Sequence, residues 1–225
     1  MPGVLKRRLD TGPPFLLLDC SDSRVGEQVI FSAEPGTLFT TGNVANQFHE
    51  HDLNSKAVLA YAVDALKVKH VIVMGHYGCG GVAAATLPVP ALEVNNLGAV
   101  QDWIAPIRKI YETSKRFAPE IVQHREENRE REESQVTPPQ PHLHDPAFRA
   151  LVEENVKANV QRIAHSAVIT NHYASLETQP EHERTGVFIH GWVYDIETGE
   201  VADLGVTVGP PGQKLPVTPF PTHHT

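Results

Sequence analysis

The chain contains 225 residues, of which 40% are hydrophobic and 20% are charged, values that are ordinary for a soluble globular protein with a substantial core. Its formal net charge of −8 argues against nucleic acid as a main partner, because binding phosphates requires a basic surface. No apolar run approaches the roughly 20 residues that cross a bilayer, and residues 1–10 lack the apolar segment of a secretory signal. We therefore expect a cytoplasmic protein that does not contact membranes.

The first half of the chain alternates apolar runs with turn signals. Residues 15–19 are an apolar run that predicts a buried strand ending at Cys20. Residues 58–66 place apolar side chains at helical spacing, so we predict a helix that begins at Asn54 or Ser55. The further elements predicted in this half are short strands at residues 29–31 and 38–40, a strand at 68–74 that precedes His76, and a helix that starts at 82–86.

The second half is predicted to be largely helical until a terminal hairpin. Residues 96–117 carry apolar side chains on one helical face. Residues 124–133 form a block of mixed charge, which predicts either a solvated helix extension or a flexible segment. The remaining predicted elements are a proline-rich loop at 136–146, a long helix at 146–172, a strand at 187–194, a turn at 197–200 and a return strand at 201–208.

These elements divide the chain into three parts. A short arm spans residues 1–13, and one α/β domain spans residues 14–208, with a charged and proline-rich insertion at about 124–146. A proline-rich tail spans residues 209–225. Because the tail has little apolar surface to bury, we expect it to be disordered or to lie across a partner subunit.

Cys20, His76 and Cys79 form a candidate metal site. Two thiols and one imidazole suit tetrahedral zinc, and three protein ligands leave the fourth position open for water. Two adjacent parallel strands would bring these residues together at the carboxyl edge of a sheet. The alternative is that both cysteines are small buried hydrophobic residues and that the histidine is incidental. Asp22 and Arg24 favour the metal, because a carboxylate and a guanidinium beside a thiolate are costly to bury unless they pair or serve the metal.

Two segments of the chain carry a family resemblance. Residues 20–24 (Cys-Ser-Asp-Ser-Arg) and 76–81 (His-Tyr-Gly-Cys-Gly-Gly) resemble the motifs of the β-class carbonic anhydrases. This resemblance implies an α/β fold with a central, largely parallel β-sheet flanked by helices, and one Zn²⁺ ion per subunit. The implied reaction is the reversible hydration of carbon dioxide to bicarbonate and a proton. The resemblance spans about residues 14–207 and includes further matching segments at 36–39, 43–46 and 190–195.

The resemblance also implies roles for residues beside the zinc ligands. Asp22 would accept a hydrogen bond from the zinc-bound hydroxide, and Arg24 would hold that carboxylate in place. If the pair parts, Asp22 can become a fourth zinc ligand, which closes the site and leaves it inactive. The Gly80 amide can point at an oxygen of bound carbonate near a helix start, where a side chain would crowd the metal, or this glycine can simply permit a tight turn.

The same resemblance implies a substrate pocket that two subunits share. Val44 would line the carbon dioxide pocket from one subunit, while Phe39 and Tyr61 would reach in from the partner. Such a site requires a homodimer, and dimers can pair further into tetramers. Tyr61 has a second interpretation as an ordinary core residue of its helix.

The chain departs from the family pattern at Gly42, where relatives usually carry an arginine before the asparagine that matches Asn43. Glycine removes a positive charge and the donors of a guanidinium, and it adds backbone freedom to a loop expected to hold Val44 and Phe39. Thr11 stands where many members have glutamine. We therefore expect low hydration activity. The alternatives are a zinc-binding pseudoenzyme with a regulatory or assembly role, and a zinc hydrolase of carbon disulfide or carbonyl sulfide.

Overall fold

A five-stranded β-sheet forms the centre of the protein. The computed structural model describes residues 12–89, 97–113, 119–134, 138–180 and 185–223. The strands within these residues are β1 (Phe15–Cys20), β2 (Leu38–Asn43), β3 (His70–His76), β4 (Phe188–Tyr194) and β5 (Val201–Asp203). Their order in the sheet is β2-β1-β3-β4-β5, with β5 antiparallel to β4 and the other neighbouring pairs parallel. The predicted central, largely parallel sheet is therefore confirmed.

The neighbouring strands β1 and β3 are almost continuously apolar. Both are buried from their second residue to their last. Continuous apolar runs are typical of parallel strands that are covered on both faces of the sheet. Because the two strands are parallel, with Leu18 opposite Val73, they end at the same edge of the sheet.

Helices cover the sheet and connect its parallel strands. Within the described residues they are α1 (Glu27–Ile30), α2 (Leu53–Ala60), α3 (Gly80–Ala85), α4 (Gly98–Thr113), α5 (Pro119–Glu133), α6 (Pro146–Ala164) and α7 (Ala167–Thr178). Asp52 begins α2 and Asp145 begins α6, because each side chain accepts a hydrogen bond from a backbone N–H of the first turn. A π-helical turn at Tyr61–Ala65 extends α2. None of these helices combines the length and the apolarity needed to cross a membrane.

Helix α6 packs closely against the central strands. Val152, Val156 and Val160 lie on its buried face, at most 1% exposed. Two strand glycines permit this close approach: a Cβ at Gly75 would lie 2.5 Å from Val156 Cγ2, and one at Gly191 would lie 3.1 Å from Val160 Cγ2. The core of the protein therefore lies between α6 and the face of the sheet formed by β3 and β4.

Three predicted elements differ from the structure. The return strand predicted at 201–208 is shorter, because β5 ends at Asp203 and only an isolated bridge joins Val208 to Ile189. Residues 29–31 are not a strand, because they belong to the short helix α1 and its end, where the Val29 side chain is 83% exposed. The single helix predicted at 146–172 is two helices, α6 and α7. Ser166 separates them because its side chain accepts a hydrogen bond from Ile169 N and so begins a new helix.

The charged block at residues 124–133 is helical and belongs to α5. Within this helix Ile121 and Asn128 are buried, and Asn128 donates hydrogen bonds to Tyr111 Oη and Thr86 O. Because only these two residues of α5 face inward, the sequence of this charged helix shows no clear apolar face. Of the other predictions, residues 1–11 of the arm at 1–13, the ends of the helix at 96–117 and the first residues of the loop at 136–146 lie outside the described residues.

The tail after Gly209 lies against its own chain rather than reaching away from it. Pro221 O accepts a hydrogen bond from Asp203 N at 2.9 Å, so the tail runs beside β5. The Phe220 ring packs 4.8 Å from the Trp192 ring and 6.0 Å from the Phe31 ring. A cavity of about 730 Å³ lies between this segment and the amino ends of β1–β3. The tail thus covers part of the sheet face opposite α6.

Candidate metal centre

The three predicted metal ligands meet at the carboxyl edge of the sheet. Cys20 is the last residue of β1 and His76 is the last residue of β3, while Cys79 immediately precedes α3. All three side chains are buried, and their donor atoms lie within 4.8 Å of one another. The prediction that two parallel strands bring them together is therefore correct.

The distances and the hydrogen bonds of the site fit a zinc ion. The Sγ atoms of Cys20 and Cys79 are 3.8 Å apart, and tetrahedral zinc–sulfur bonds would place two sulfur ligands about 3.8 Å apart. His76 Nδ1 lies 3.0 Å from the Tyr77 carbonyl, which can only accept, so Nδ1 carries the hydrogen and Nε2 presents a lone pair. That buried Nε2 has no hydrogen-bond partner among the described residues. A metal ion would satisfy it.

The two thiols ionise at different pH values because they share a hydrogen bond. A hydrogen bond from Cys79 is the largest cause of the shift that lowers the pKa of Cys20 to about 4. The same pairing and burial raise the pKa of Cys79. The pair therefore favours one thiolate beside one thiol, and metal binding would release the remaining proton.

Asp22 and Arg24 form a bidentate ion pair beside the three donors. Arg24 Nε donates to Asp22 Oδ1 at 2.8 Å, and Arg24 Nη2 donates to Asp22 Oδ2 at 2.6 Å. These hydrogen bonds hold the pKa of Asp22 well below its usual range. Arg24 also donates to Gly78 O at 3.1 Å, and Asp22 Oδ2 lies 3.8 Å from His76 Nε2. The carboxylate is thus ionised, close to the donor atoms, and held by the guanidinium.

Asp19 is a buried carboxyl group that the sequence pattern did not indicate. It is 1% exposed, and neither of its oxygens has a hydrogen-bond partner among the described residues. Burial, together with the nearby negative charges of Glu27 and Cys20, raises the pKa of Asp19 to about 8. Asp19 faces Gly42 across the β1–β2 pair. Gly42 therefore lies in a strand, and the prediction that it loosens a loop is wrong.

The predicted pocket residues do not all lie at this edge: Val44 follows the end of β2, whereas Phe39 is the second residue of β2, opposite Leu16 of β1. Val44 is 40% exposed and Tyr61 is 55% exposed, so Tyr61 is not a core residue. The rings of Phe39 and Tyr61 lie 5.9 Å apart within the same chain. A Cβ at Gly80 would meet no atom within 4 Å, whereas one at Gly81 would lie 2.9 Å from Val44 Cγ1. Close packing against Val44 therefore requires a glycine at position 81, whereas no protein atom near position 80 would clash with a side chain there.

A buried polar network behind Val44 is also absent from the sequence-based predictions. Asn155 and Asn159 on α6 are 0% exposed and bond to the segment at residues 45–48. Their spacing of four residues places them on the same face of the helix as its buried valines. Polar residues at core positions of a helix are the signal that could have indicated a buried partner.

Comparison with known proteins agrees with this geometry. A family model described as "Carbonic anhydrase" matches residues 15–201. A carbonic anhydrase of Emericella nidulans is 33% identical over 195 residues, covering 86% of this chain and 70% of the relative. A carbonic anhydrase of Candida albicans is 29% identical over 197 residues, covering 86% of this chain and 57% of that relative. The chain thus spans little more than half the length of the second relative.

Solved structures extend the likeness to the fold. One of two tetrameric β-carbonic anhydrases from the filamentous ascomycete Sordaria macrospora superposes with a TM-score of 0.66 at 26% identity. The match covers 92% of this chain and 88% of that structure. Because the family model covers most of the chain and the fold agrees, the chain belongs to the β-class carbonic anhydrase family.

Proposed function

We propose that this protein catalyses the reversible hydration of carbon dioxide to bicarbonate and a proton. One Zn²⁺ ion per subunit would be held by Cys20, His76 and Cys79. The observation that carries the proposal is the fit of these three buried donors to a tetrahedral metal, with the His76 Nε2 lone pair free of other described partners. When bound, zinc supplies the nucleophile by lowering the pKa of water from 15.7 toward about 7.

In this proposal Asp22 and Arg24 are the catalytic residues. The Asp22 carboxylate accepts a hydrogen bond from the attacking water, which orients that water toward carbon dioxide. Arg24 keeps the carboxylate ionised and engages both of its oxygens, so Asp22 stays away from the metal position. If Arg24 releases it, Asp22 Oδ2 is close enough to the His76 Nε2 to become a fourth ligand and close the site. The bidentate pair therefore corresponds to an open site.

The substrate would bind between Val44 and the start of α3. Carbon dioxide is small and apolar, which suits the exposed Val44 side chain, and the Gly80 N–H would donate to an oxygen of bicarbonate.

We propose that Phe39 and Tyr61 complete the pocket of a partner subunit, because Tyr61 is more than half exposed beside Phe39. The functional unit is then a homodimer, with tetramers as a further level of assembly. Light scattering of the intact protein tests this assembly, and a monomer mass would contradict it.

We propose further that hydration is slower than in relatives that carry arginine at position 42. Gly42 leaves this position without a guanidinium, and the nearest ionisable group on β1 is the acid Asp19. The missing guanidinium reduces the positive potential available to a bicarbonate anion, whereas Asp19, with its raised pKa, is largely uncharged at neutral pH. Loss of one preorganised donor commonly lowers turnover about 10²–10³-fold.

The test is stopped-flow carbon dioxide hydration per bound zinc, in the intact protein and in Asp22→Asn. We expect one zinc ion per chain in both proteins and a rate about 10²–10³-fold lower in the variant. Asp64→Asn is the matched control, because Asp64 is an exposed aspartate in the π-helical turn, and its rate should equal that of the unmodified protein.

Three outcomes would change the proposal. If the protein binds no zinc, the proposed metal site is wrong. If Asp22→Asn and Asp64→Asn hydrate carbon dioxide at equal rates, the proposed role of Asp22 is wrong. Full zinc occupancy without hydration, even after Gly42→Arg, would favour the pseudoenzyme, or the hydrolase if carbon disulfide or carbonyl sulfide is consumed.

A further inference from the structure

The loop at residues 44–48 has a backbone conformation that its residue types do not favour. Ala45 has φ 60° and ψ 34°, and Asn46 has φ 47°, so two consecutive residues lie in the left-handed region. The Cβ of alanine makes this region unfavourable, whereas glycine adopts it freely. Both residues are at most 1% exposed, so packing and hydrogen bonds from the surrounding structure must hold them there.

Buried amide side chains hold the Ala45 carbonyl. Asn155 Nδ2 donates to Ala45 O at 3.0 Å, and Gln47 Nε2 donates to the same oxygen at 2.7 Å. Gln47 Nε2 also donates to Asn155 Oδ1 at 2.7 Å, which ties the two amides together. Asn159 Nδ2 donates to Asn155 Oδ1 at 3.1 Å, and its own Oδ1 accepts from Phe48 N at 2.9 Å. Because Asn155 and Gln47 are 0% exposed, solvent cannot replace these bonds.

Trp103 holds the preceding peptide from the other side. Its Nε1 donates to Val44 O at 2.9 Å. In a trans peptide the C=O and the next N–H point in opposite directions, so this bond turns the Ala45 N–H away from the indole. That N–H faces the sulfur of Cys20 and contributes to lowering the pKa of this thiol. The close approach of this loop to α3 depends on Gly81, where a Cβ would lie 3.0 Å from Ala45 Cβ.

We propose that Asn155 and Trp103 are positioning residues that hold Ala45 in the left-handed conformation, so that its backbone N–H can donate a hydrogen bond to the Cys20 sulfur. This inference rests on the proposed function, in which Cys20 is a metal ligand. A hydrogen bond to a ligand sulfur fixes its orientation and reduces its electron donation to the metal. The same network places Val44, the proposed pocket residue, next to the metal site.

The test compares two buried asparagines. Asn155→Ala removes the donor to Ala45, whereas Asn128→Ala removes a buried asparagine of α5 that bonds to Tyr111 and Thr86 instead. Each protein is loaded with Co²⁺, and the thiolate-to-cobalt absorption band and the rate of metal loss to a chelator are recorded. We expect Asn155→Ala to shift the band to longer wavelength and to lose metal about 10-fold faster. Asn128→Ala should match the unmodified protein.

A second-site variant separates positioning from general damage. Ala45→Gly added to Asn155→Ala should restore the band and the rate of metal loss toward those of the unmodified protein, because glycine adopts the left-handed region unaided. Identical readouts for Asn155→Ala and Asn128→Ala would overturn the proposal, and so would the absence of rescue by Ala45→Gly. If Asn155→Ala does not fold, Trp103→Phe serves as the test variant. An unchanged absorption band and an unchanged rate of metal loss in Trp103→Phe would then overturn the proposal. An unmodified protein that binds no Co²⁺ would instead refute the metal site itself.

Discussion

Asp19 lies directly opposite Gly42 in the parallel pairing of β1 and β2, and its Oδ1 is 3.4 Å from the position that a Cβ at residue 42 would take. The Ser21 Oγ is 3.2 Å from the same position. A side chain can enter here after a small adjustment of the serine hydroxyl. An arginine at this position would thus begin beside a buried carboxyl group.

Gly42→Arg should raise the rate of carbon dioxide hydration per bound zinc, by about 10-fold or more, because it restores a fixed positive charge near the anion. Part of the gain should be lost to pairing with Asp19, so Gly42→Arg combined with Asp19→Asn should be faster than Gly42→Arg alone. Gly42→Met is the control for side-chain volume without charge. Equal rates for the arginine and methionine variants, both folded and zinc-loaded, would show that the missing guanidinium at position 42 does not limit the hydration rate.

Arg24→Lys should slow hydration at neutral pH and make the enzyme more sensitive to acid. Lysine is a point charge and cannot form the two parallel hydrogen bonds that hold the pKa of Asp22 far below its usual range. In the variant the pKa of Asp22 should rise, so its protonation and its release from the pair should begin at higher pH. A pH–rate profile measures this shift. Arg129→Lys, which alters an exposed pair with Glu133, should leave the profile unchanged.

His190 should make the protein less stable as the pH falls below about 6.5. Burial, with a contribution from the neighbouring His70, lowers the pKa of His190 to about 4. Between these values the unfolded chain binds a proton that the native protein does not, so the free energy of unfolding decreases with decreasing pH. His190→Gln should remove about 2 kcal/mol of the difference in unfolding free energy between pH 7.5 and pH 5.

Urea unfolding of the metal-free protein at the two pH values measures this difference. His165→Gln, a substitution at an exposed histidine that ends α6, is the control and should retain the full pH dependence of the unmodified protein. The same pH dependence in His190→Gln as in His165→Gln would show that His190 does not carry it.

His223→Ala should detach the tail and lower the free energy of unfolding by about 1–3 kcal/mol. The His223 Nε2 lies 3.1 Å from the buried Glu153 carboxylate, which also accepts a hydrogen bond from Tyr77 Oη at 2.8 Å. Without the imidazole, Glu153 keeps only one of these two partners. Limited proteolysis should then cut the tail faster. Val217→Ala, at a side chain that is 91% exposed, should change neither the proteolysis rate nor stability.

The apolar runs and the motif residues of the sequence were sufficient to predict the sheet and the clustering of the three candidate metal ligands. Each ligand follows or adjoins a buried segment, and parallel neighbouring strands end at one edge, so Cys20 and His76 must meet if β1 and β3 are adjacent. Local patterns failed in two places. Ser166 divides a predicted helix because its side chain caps a new one, and Val29 and Ile30 lie in α1 despite their β-branched side chains.

The sequence by itself determined the family, the parallel sheet and the three candidate metal ligands, because these depend on residue types within short segments. Only the tertiary structure decided that Asp19 faces Gly42, since that relationship depends on the register of two strands. It also decided that Asn155 reaches the Ala45 carbonyl, 110 residues away in the chain. The physical reason is that register and helix–loop contacts arise from packing of the whole core, and a single sequence does not display that packing locally.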